Sequence, residues 1–274
     1  ISGSKNAALP IMAACILTND ELELSNIPNL DDVRTMSKVL SSLGVKVKED
    51  NISENKMTLC YKDSDQSVAE YDLVRKMRAS VLVLGPLLAR KREATVSLPG
   101  GCAIGARPID IHIDALQKLG AEFSLDQGYI KCKASKGLIG CELDLPKISV
   151  GASENIIMAA CLAKGESKIK NIAIEPEVID LVDCLKSMGA NIEFADNRTI
   201  LIQGVDEMKG ASHKIIPDRI ETLTYVIAGA LNAENLLIRD INISHIQNVL
   251  DSLQKLNVGM EIKDNEISVK KTSI

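Results

Sequence analysis

The stretch Ser97-Leu98-Pro99-Gly100-Gly101-Cys102-Ala103-Ile104-Gly105-Ala106-Arg107-Pro108 sets one cysteine among three glycines and two prolines, with an arginine five residues on. Glycine accepts positive φ and lets backbone approach a ligand closely, while proline stiffens the loop that results. A thiol near a guanidinium has a lowered pKa and can serve as nucleophile or proton donor. The same residues also suit a plain turn whose cysteine fills a small space. Position within the chain has to decide between the two.

Other residues suited to chemistry stand where helices begin. Lys5-Asn6 open an apolar stretch, Arg75 and Arg78 open a second at i, i+3 spacing, and Lys147-Ile148-Ser149-Val150-Gly151 opens a third. A helix N-terminus attracts anions through its unpaired N–H groups, and a cation beside it strengthens that pull. Ser149 is suited to cap its helix and Gly151 to permit close approach. Taken singly, each of these charges also fits an ordinary solvated surface. His112, His213 and His245 lack partners at ligand spacing, so no metal site is inferred. Ser2-Gly3-Ser4-Lys5 lacks the spacing of a phosphate-binding P-loop.

Two helix types recur four times in alternation and must position these groups. The first is almost wholly apolar: residues 5–17, 74–89, 153–163 and 218–231. A helix apolar on nearly every face is expected to be buried on nearly every face. Each is followed by a polar turn and a β-rich run, such as Leu22-Glu23-Leu24-Ser25 or Ala94-Thr95-Val96-Ser97-Leu98. The second type is amphipathic: residues 32–44, 111–120, 178–189 and 246–257. Three copies end in glycine (Gly44, Gly120, Gly189) and the fourth in Asn257, residues that accept the left-handed conformation closing a helix. Alternating strands such as Val45-Lys46-Val47-Lys48 follow. The unit is therefore an apolar helix, a strand, an amphipathic helix and one or two strands. If three units pack about a pseudo-threefold axis, their anion-friendly starts converge on a substrate with phosphates and a carboxylate.

Bulk composition narrows the class. The 274 residues are 46% hydrophobic with a net charge of −5, and carry no Trp, two Phe and four Tyr. Cores must then be built from Leu, Ile, Val, Ala and Met, and no aromatic platform for single-stranded nucleic acid is available. An acidic balance gives no footprint for DNA or RNA. Seven cysteines, an odd number without CxxC pairs, argue for reduced thiols and against a disulfide framework or zinc site. No apolar run matches a membrane span, and no charged-then-apolar leader opens the sequence, so a cytoplasmic location with no membrane partner is expected.

Together Ser4-Lys5-Asn6-Ala7-Ala8-Leu9-Pro10, Met77-Arg78-Ala79-Ser80, the cysteine loop, Lys147-Ile148-Ser149-Val150-Gly151-Ala152 and Ile216-Pro217-Asp218-Arg219-Ile220-Glu221-Thr222 resemble the enolpyruvyl transferase family across the whole chain. The resemblance implies an inside-out α/β barrel architecture, with two domains of three units each and the active site in the cleft between them. Residues 5–215 would form the first domain, with the cysteine loop and sugar-nucleotide site. Residues 1–4 and 216–274 would form part of the second, one unit of three. The cysteine loop ties the resemblance to the branch that moves the enolpyruvyl group of phosphoenolpyruvate to the 3′-hydroxyl of UDP-N-acetylglucosamine, releasing phosphate in the first committed step of peptidoglycan synthesis. Neither a metal nor an organic cofactor is implied.

Carried over by motif, Lys5 and Asn6 would bind phosphoenolpyruvate, and Arg78 and Arg107 would hold anionic groups. The segments Arg107, Pro108, Ile109, Asp110, Ile111 and Lys147, Ile148, Ser149, Val150 would seat the UDP-sugar. Cys102 would be catalytic, either protonating the enolpyruvyl methylene or forming a covalent adduct. The rivals are the sister transferase acting on shikimate 3-phosphate, which is not expected to carry this cysteine loop, and a non-catalytic nucleotide-sugar binding module. Set against the family, the sequence is expected to begin inside a domain at Ile1 and to lack two units of the second domain, including the aspartate proposed in the family as base for the sugar hydroxyl. The 274-residue chain alone is therefore expected to bind the UDP-sugar weakly without turnover. A phosphate-release assay with both substrates checks this, and robust release overturns it.

Overall fold

A computed structural model describes residues 1–48, 55–62, 68–69, 78–97 and 109–272, the side chains of 68, 69 and 78 excepted. The repeat is visible as the order of elements. The first unit comprises α1 (Lys5–Ala14) with a 3-10 turn Cys15–Leu17, β1 (Glu21–Ser25), α2 (Asp31–Ser42), β2 (Val45–Lys48) and β3 (Lys56–Tyr61). The second comprises β4 (Val68–Ala69), a 3-10 helix Arg78–Val83 leading into α3 (Leu84–Lys91), β5 (Glu93–Ser97), α4 (Asp110–Lys118), β6 (Glu122–Asp126) and β7 (Tyr129–Lys133). The third comprises β8 (Glu142–Asp144), α5 (Val150–Ala160), β9 (Glu166–Lys170), α6 (Pro176–Ser187), β10 (Asn191–Asp196) and β11 (Thr199–Gln203). The last comprises β12 (Ala211–Lys214), α7 (Arg219–Asn232), β13 (Leu236–Ile238), α8 (Gln247–Lys255), β14 (Met260–Lys263) and β15 (Glu266–Val269).

The turn chemistry behaves as the sequence predicts. Gly44, Gly120 and Gly189 close α2, α4 and α6 at φ of 95°, 97° and 97°, and Asn257 follows α8 at 59°. The third apolar helix begins three residues before the expected Ser153, because Ser149 caps it and starts the helix at Val150.

Three four-stranded sheets share one order: β4-β5-β7-β6, β8-β9-β11-β10 and β12-β1-β3-β2. In each, the strand after the apolar helix pairs in parallel with a leading strand and antiparallel with a hairpin. The leading strand of the first sheet is β12, which arrives after the third unit and pairs Leu22 with Ala211 through Ser25 with Lys214. Residues 1–4 cannot fill that edge, since Gly3 bridges instead to Pro217 and Ser4 N–H donates to the Ile216 carbonyl. Strand β12 thus closes the ring of sheets.

Inside the ring, α1, α3 and α5 bury one another, and their core runs from Ala7 to Ile215. A second, smaller core is formed by α7, α8 and the sheet β13-β15-β14 around Val226, Leu250 and Ile267. Here the expectation of burial on every face fails: Ile220, Tyr225, Ile227 and Leu231 of α7 are exposed. The apolar helices of the ring each have two others to lie against. Helix α7 meets β13 and β15 along one side.

Helices α3 and α5 approach so closely that an added Cβ at Gly85 would lie 2.6 Å from Oδ1 of Asn155, whose carbonyl oxygen is closer still. We expect Gly85→Ala to cost about 1–3 kcal/mol, the usual range for overpacking a tight core, measured by urea unfolding. An unchanged midpoint would show that the contact can relax.

Candidate active site

A cleft of about 660 Å³ opens over the ring of apolar helices. Lys5 and Asn6 reach it from the start of α1, and Ser149, Val150 and Gly151 from the start of α5. Ala79, Val81 and Leu82 line it from the 3-10 helix, at the start of the second unit. The starts of the first and third units therefore meet as expected, while the second contributes apolar side chains here, its expected Arg75 and the side chain of Arg78 lying outside the described residues. Pro10, inside α1, has no N–H to offer the carbonyl of Asn6 four residues earlier, and both residues line the cleft.

Partners are identifiable for Lys5 and Ser149, and Gly151 has a close neighbour. Lys5 Nζ lies 2.8 Å from Oδ2 of Asp32, which ties α1 to α2 across the cleft edge. Ser149 Oγ accepts a long hydrogen bond, 3.4 Å, from the Ala152 N–H. Gly151 stands against the imidazole of His112, where a Cβ would come within 3.2 Å of Cε1.

His112 gave no partner signal in the sequence, yet it is buried and lines the cleft from α4. Asn155 explains how. Its Oδ1 accepts from the Gly85 N–H at 2.6 Å, and its Nδ2 donates to the Val81 carbonyl at 2.8 Å. That fixes the amide orientation, so Nδ2, 3.0 Å from His112 Nδ1, is the donor there too. His112 Nδ1 is then the acceptor and the ring hydrogen sits on Nε2, toward Gly151. Only a fold that brings residues 85, 112 and 155 together reveals this.

The far wall carries groups that the sequence reading also missed. Glu177 at the start of α6 is buried and receives a forked bond from Arg219, with Nε to Oε1 at 2.9 Å and Nη2 to Oε2 at 3.3 Å. Arg219 opens α7, so this ion pair links the large core to the small one. Glu154 and Glu175 stand beside Glu177 in the same lining. Burial, and then the charges of Glu177 and Glu175, push the Glu154 carboxyl well above the usual range.

The remaining expected site residues divide as follows. Ile109 and Ile111 flank the start of α4 and are buried in the core, and Asp110 between them is exposed. Lys147 and Ile148 are exposed just before α5 and do not line the cleft. Arg78 opens the 3-10 helix, but its side chain, like Cys102, Arg107 and Pro108 in full, lies outside the described residues. No helix among the described residues is long and apolar enough to cross a membrane.

The model of the family "EPSP synthase (3-phosphoshikimate 1-carboxyvinyltransferase)" matches residues 1–273. The chain belongs to this family. Within it, a protein of Pelagibacter ubique named UDP-N-acetylglucosamine 1-carboxyvinyltransferase is 49% identical over 98% of the chain and 64% of its own length. Relatives of the same name from Azorhizobium caulinodans and Helicobacter acinonychis are 45% and 46% identical over 99% and 98% of the chain, and 65% and 64% of their own lengths. The chain thus spans just under two thirds of these relatives. Solved structures share the enolpyruvyl transferase fold: NikO from Streptomyces tendae at a TM-score of 0.87 with 22% identity, covering 99% of the chain and 65% of NikO. EPSP synthase from Acinetobacter baumannii follows at 0.78 with 16% identity, covering 99% and 64%. The inside-out α/β architecture expected of the family is the one observed.

Burial sets the reactivity of the described thiols. It pushes Cys132, Cys161 and Cys184 up to about 12, and Cys15 higher still. Since the thiolate is the reactive form, these four should resist iodoacetamide at neutral pH in the folded protein and react on unfolding. Peptide mass spectrometry of labelled samples checks this, and rapid native labelling of any of them would refute the burial assigned to it.

Proposed function

We propose that this chain forms the larger part of a UDP-N-acetylglucosamine 1-carboxyvinyltransferase. The enzyme transfers the enolpyruvyl group of phosphoenolpyruvate to the 3′-hydroxyl of UDP-N-acetylglucosamine, with release of phosphate, in the cytoplasm at the start of peptidoglycan synthesis. Cell-wall biogenesis, cell shape and division would depend on that step. The observation that carries the reading is the opening of two helix N-termini, Lys5-Asn6 on α1 and Ser149-Val150 on α5, into one cleft. Such a pair suits a ligand set with several anionic groups. Support for the sugar nucleotide over shikimate 3-phosphate comes from the naming of relatives at 45–49% identity, whereas the EPSP synthase structures share only 15–16%.

In this assignment Lys5, Asn6, Arg78 and Arg107 hold the phosphate and carboxylate of phosphoenolpyruvate and the diphosphate of the nucleotide. Of the two segments assigned to the UDP-sugar, Pro108 to Ile111 and Lys147 to Val150, Ser149 and Val150 line the cleft, while Ile109 and Ile111, buried in the core, would serve through their backbone. Proton transfer from the Cys102 thiol to the methylene carbon makes the neighbouring carbon electrophilic, and the 3′-oxygen adds to it as its own proton passes to the aspartate base that the family resemblance assigns to the second domain. Loss of phosphate, with return of a proton from that methyl group, restores the double bond. A covalent Cys102 adduct is the other route open to the same thiol. Cations and helix N–H groups stabilise the charge that grows on the departing phosphate. The first three units would form one domain and the fourth would contribute to a second.

In the full-length protein, Cys102→Ser should lower kcat by about two orders of magnitude or more, the scale of losing a positioned acid. It should also abolish inactivation by the epoxide fosfomycin, since no thiol remains to be alkylated. Phosphate-release kinetics with both substrates measure this. Undiminished turnover would favour a binding role for Cys102 over thiol chemistry, absence of turnover in the wild type would favour a binding module, and turnover with shikimate 3-phosphate in place of the sugar nucleotide would favour the sister reaction.

A further inference from the structure

Among the described residues, the cleft holds more acid than an anion site calls for. Asp32, Glu154, Glu175 and Glu177 line it against the cations Lys5 and Arg219. Asp32 is matched by Lys5 and Glu177 by Arg219. Glu154 has no such match. It lies in α5 directly before Asn155, is only 3% exposed, and its Oε1 is sealed from solvent without a hydrogen-bond partner. Oε2 of Glu175 is sealed in the same way. An ionised carboxylate in this position would carry an uncompensated charge out of water, a heavy cost. It would also face two further glutamates and repel any ligand bearing phosphates. A carboxyl that keeps its proton avoids both penalties and offers an O–H donor as well as an acceptor.

We propose that Glu154 is a further ligand-positioning residue of this cleft that works as the neutral acid, donating its O–H to an oxygen of the nucleotide-sugar seated at the start of α5. The proposal rests on the substrate reading above. Burial first, and then Glu177 in α6 and Glu175 just before it, keep the proton on Glu154, because each glutamate raises the cost of a further negative charge. The other titratable groups of the lining are His112 on α4, Lys5 on α1, Asp32 on α2 and Arg219 on α7. Since Lys5 and Arg219 are engaged by Asp32 and Glu177, neither is spent on Glu154. The α5 sequence points the same way: Glu154 and Asn155 are adjacent buried polar residues in an otherwise small or apolar helix, and Asn155 is fully occupied by Gly85, Val81 and His112.

The test is calorimetric titration of UDP-N-acetylglucosamine into the full protein, with wild type, Glu154→Leu and Glu154→Gln compared from mildly acidic to alkaline pH. Glu154→Leu, similar in size but without a donor, should bind about tenfold more weakly, the equivalent of one lost hydrogen bond. Glu154→Gln keeps a neutral donor and should recover most of that loss. It should also lack the decline in affinity that wild type shows as rising pH ionises Glu154. Equal binding by wild type and Glu154→Leu would overturn the proposal, as would a Glu154→Gln variant no better than Glu154→Leu.

Two measurements without ligand stand apart from the substrate reading. Infrared spectra of wild type at neutral pH should contain a protonated-carboxyl stretch that disappears in Glu154→Gln, and its absence from wild type would refute the neutral acid. The folded pKa of Glu154 lies above the unfolded one. Its stability contribution is therefore present below the ordinary glutamate range and lost as pH rises through the folded value. The Tm of Glu154→Gln should accordingly gain on wild type as pH rises, whereas a constant difference would count against the assignment. If wild type itself fails to bind the sugar nucleotide, the substrate reading falls and takes the ligand contact with it, while the infrared and Tm results still decide the protonation of Glu154.

Discussion

The ring depends on one constraint: three apolar helices must meet without water between them, and a buried amide has to be satisfied where they meet. Asn155 meets that demand by spending its side chain on the Gly85 N–H, the Val81 carbonyl and His112 Nδ1. An unsatisfied amide there would cost about 1–3 kcal/mol per orphaned group, so the register of α5 against α3 and the 3-10 helix is narrowly set. Gly85 is the complement of that requirement, since any side chain would collide with Asn155. The same knot fixes the tautomer of His112 and presents its other nitrogen toward Gly151. Core packing and site geometry are therefore one arrangement in this protein.

A second coupling joins the two cores. The chain passes between them twice, at residues 1–4 and 215–218, and the two passages are bonded to each other through Ser4 N–H to Ile216 O and Asp218 N–H to Ser2 O. Gly3 is confined there because a Cβ would run into the Asn26 carbonyl. Beside this paired crossing, the part-buried fork between Glu177 and Arg219 spans from α6 to α7. Truncating Arg219 would strand the buried Glu177 carboxylate, so the pair holds the smaller core in register with the cleft wall. Relative motion of the cores would have to proceed around these contacts.

Much of the fold was legible because it repeats. Helix-closing Gly44, Gly120, Gly189 and Asn257 are local chemistry, and each takes the left-handed conformation that its residue type allows. The apolar composition of α1, α3 and α5 predicted burial, and burial is found. The reasoning failed for α7, whose composition matches the other three while Tyr225 and Ile227 face outward. Composition reports what a helix can bury, whereas the neighbours decide what it does bury. Likewise the edge position of β12 beside β1 could not be read locally, since the pairing spans some 190 residues of chain.

The site divides in the same way. The placement of Lys5, Asn6, Ser149 and Val150 at helix starts was readable because a helix boundary and a residue type are both local properties. The cysteine loop was inferred from glycine, which frees φ, and proline, which fixes it, and it lies outside the described residues. His112, Glu154, Glu175, Glu177 and Arg219 carried no such signal, since a lone histidine or glutamate acquires chemical meaning only from burial and from what stands within a few ångströms. The sequence by itself determined the units, their caps and where the helices start. The tertiary structure alone decided which starts share a cleft, which carboxylates are paired and which one is left to keep a proton, because solvation and charge are set by neighbours in space and not by neighbours in the chain.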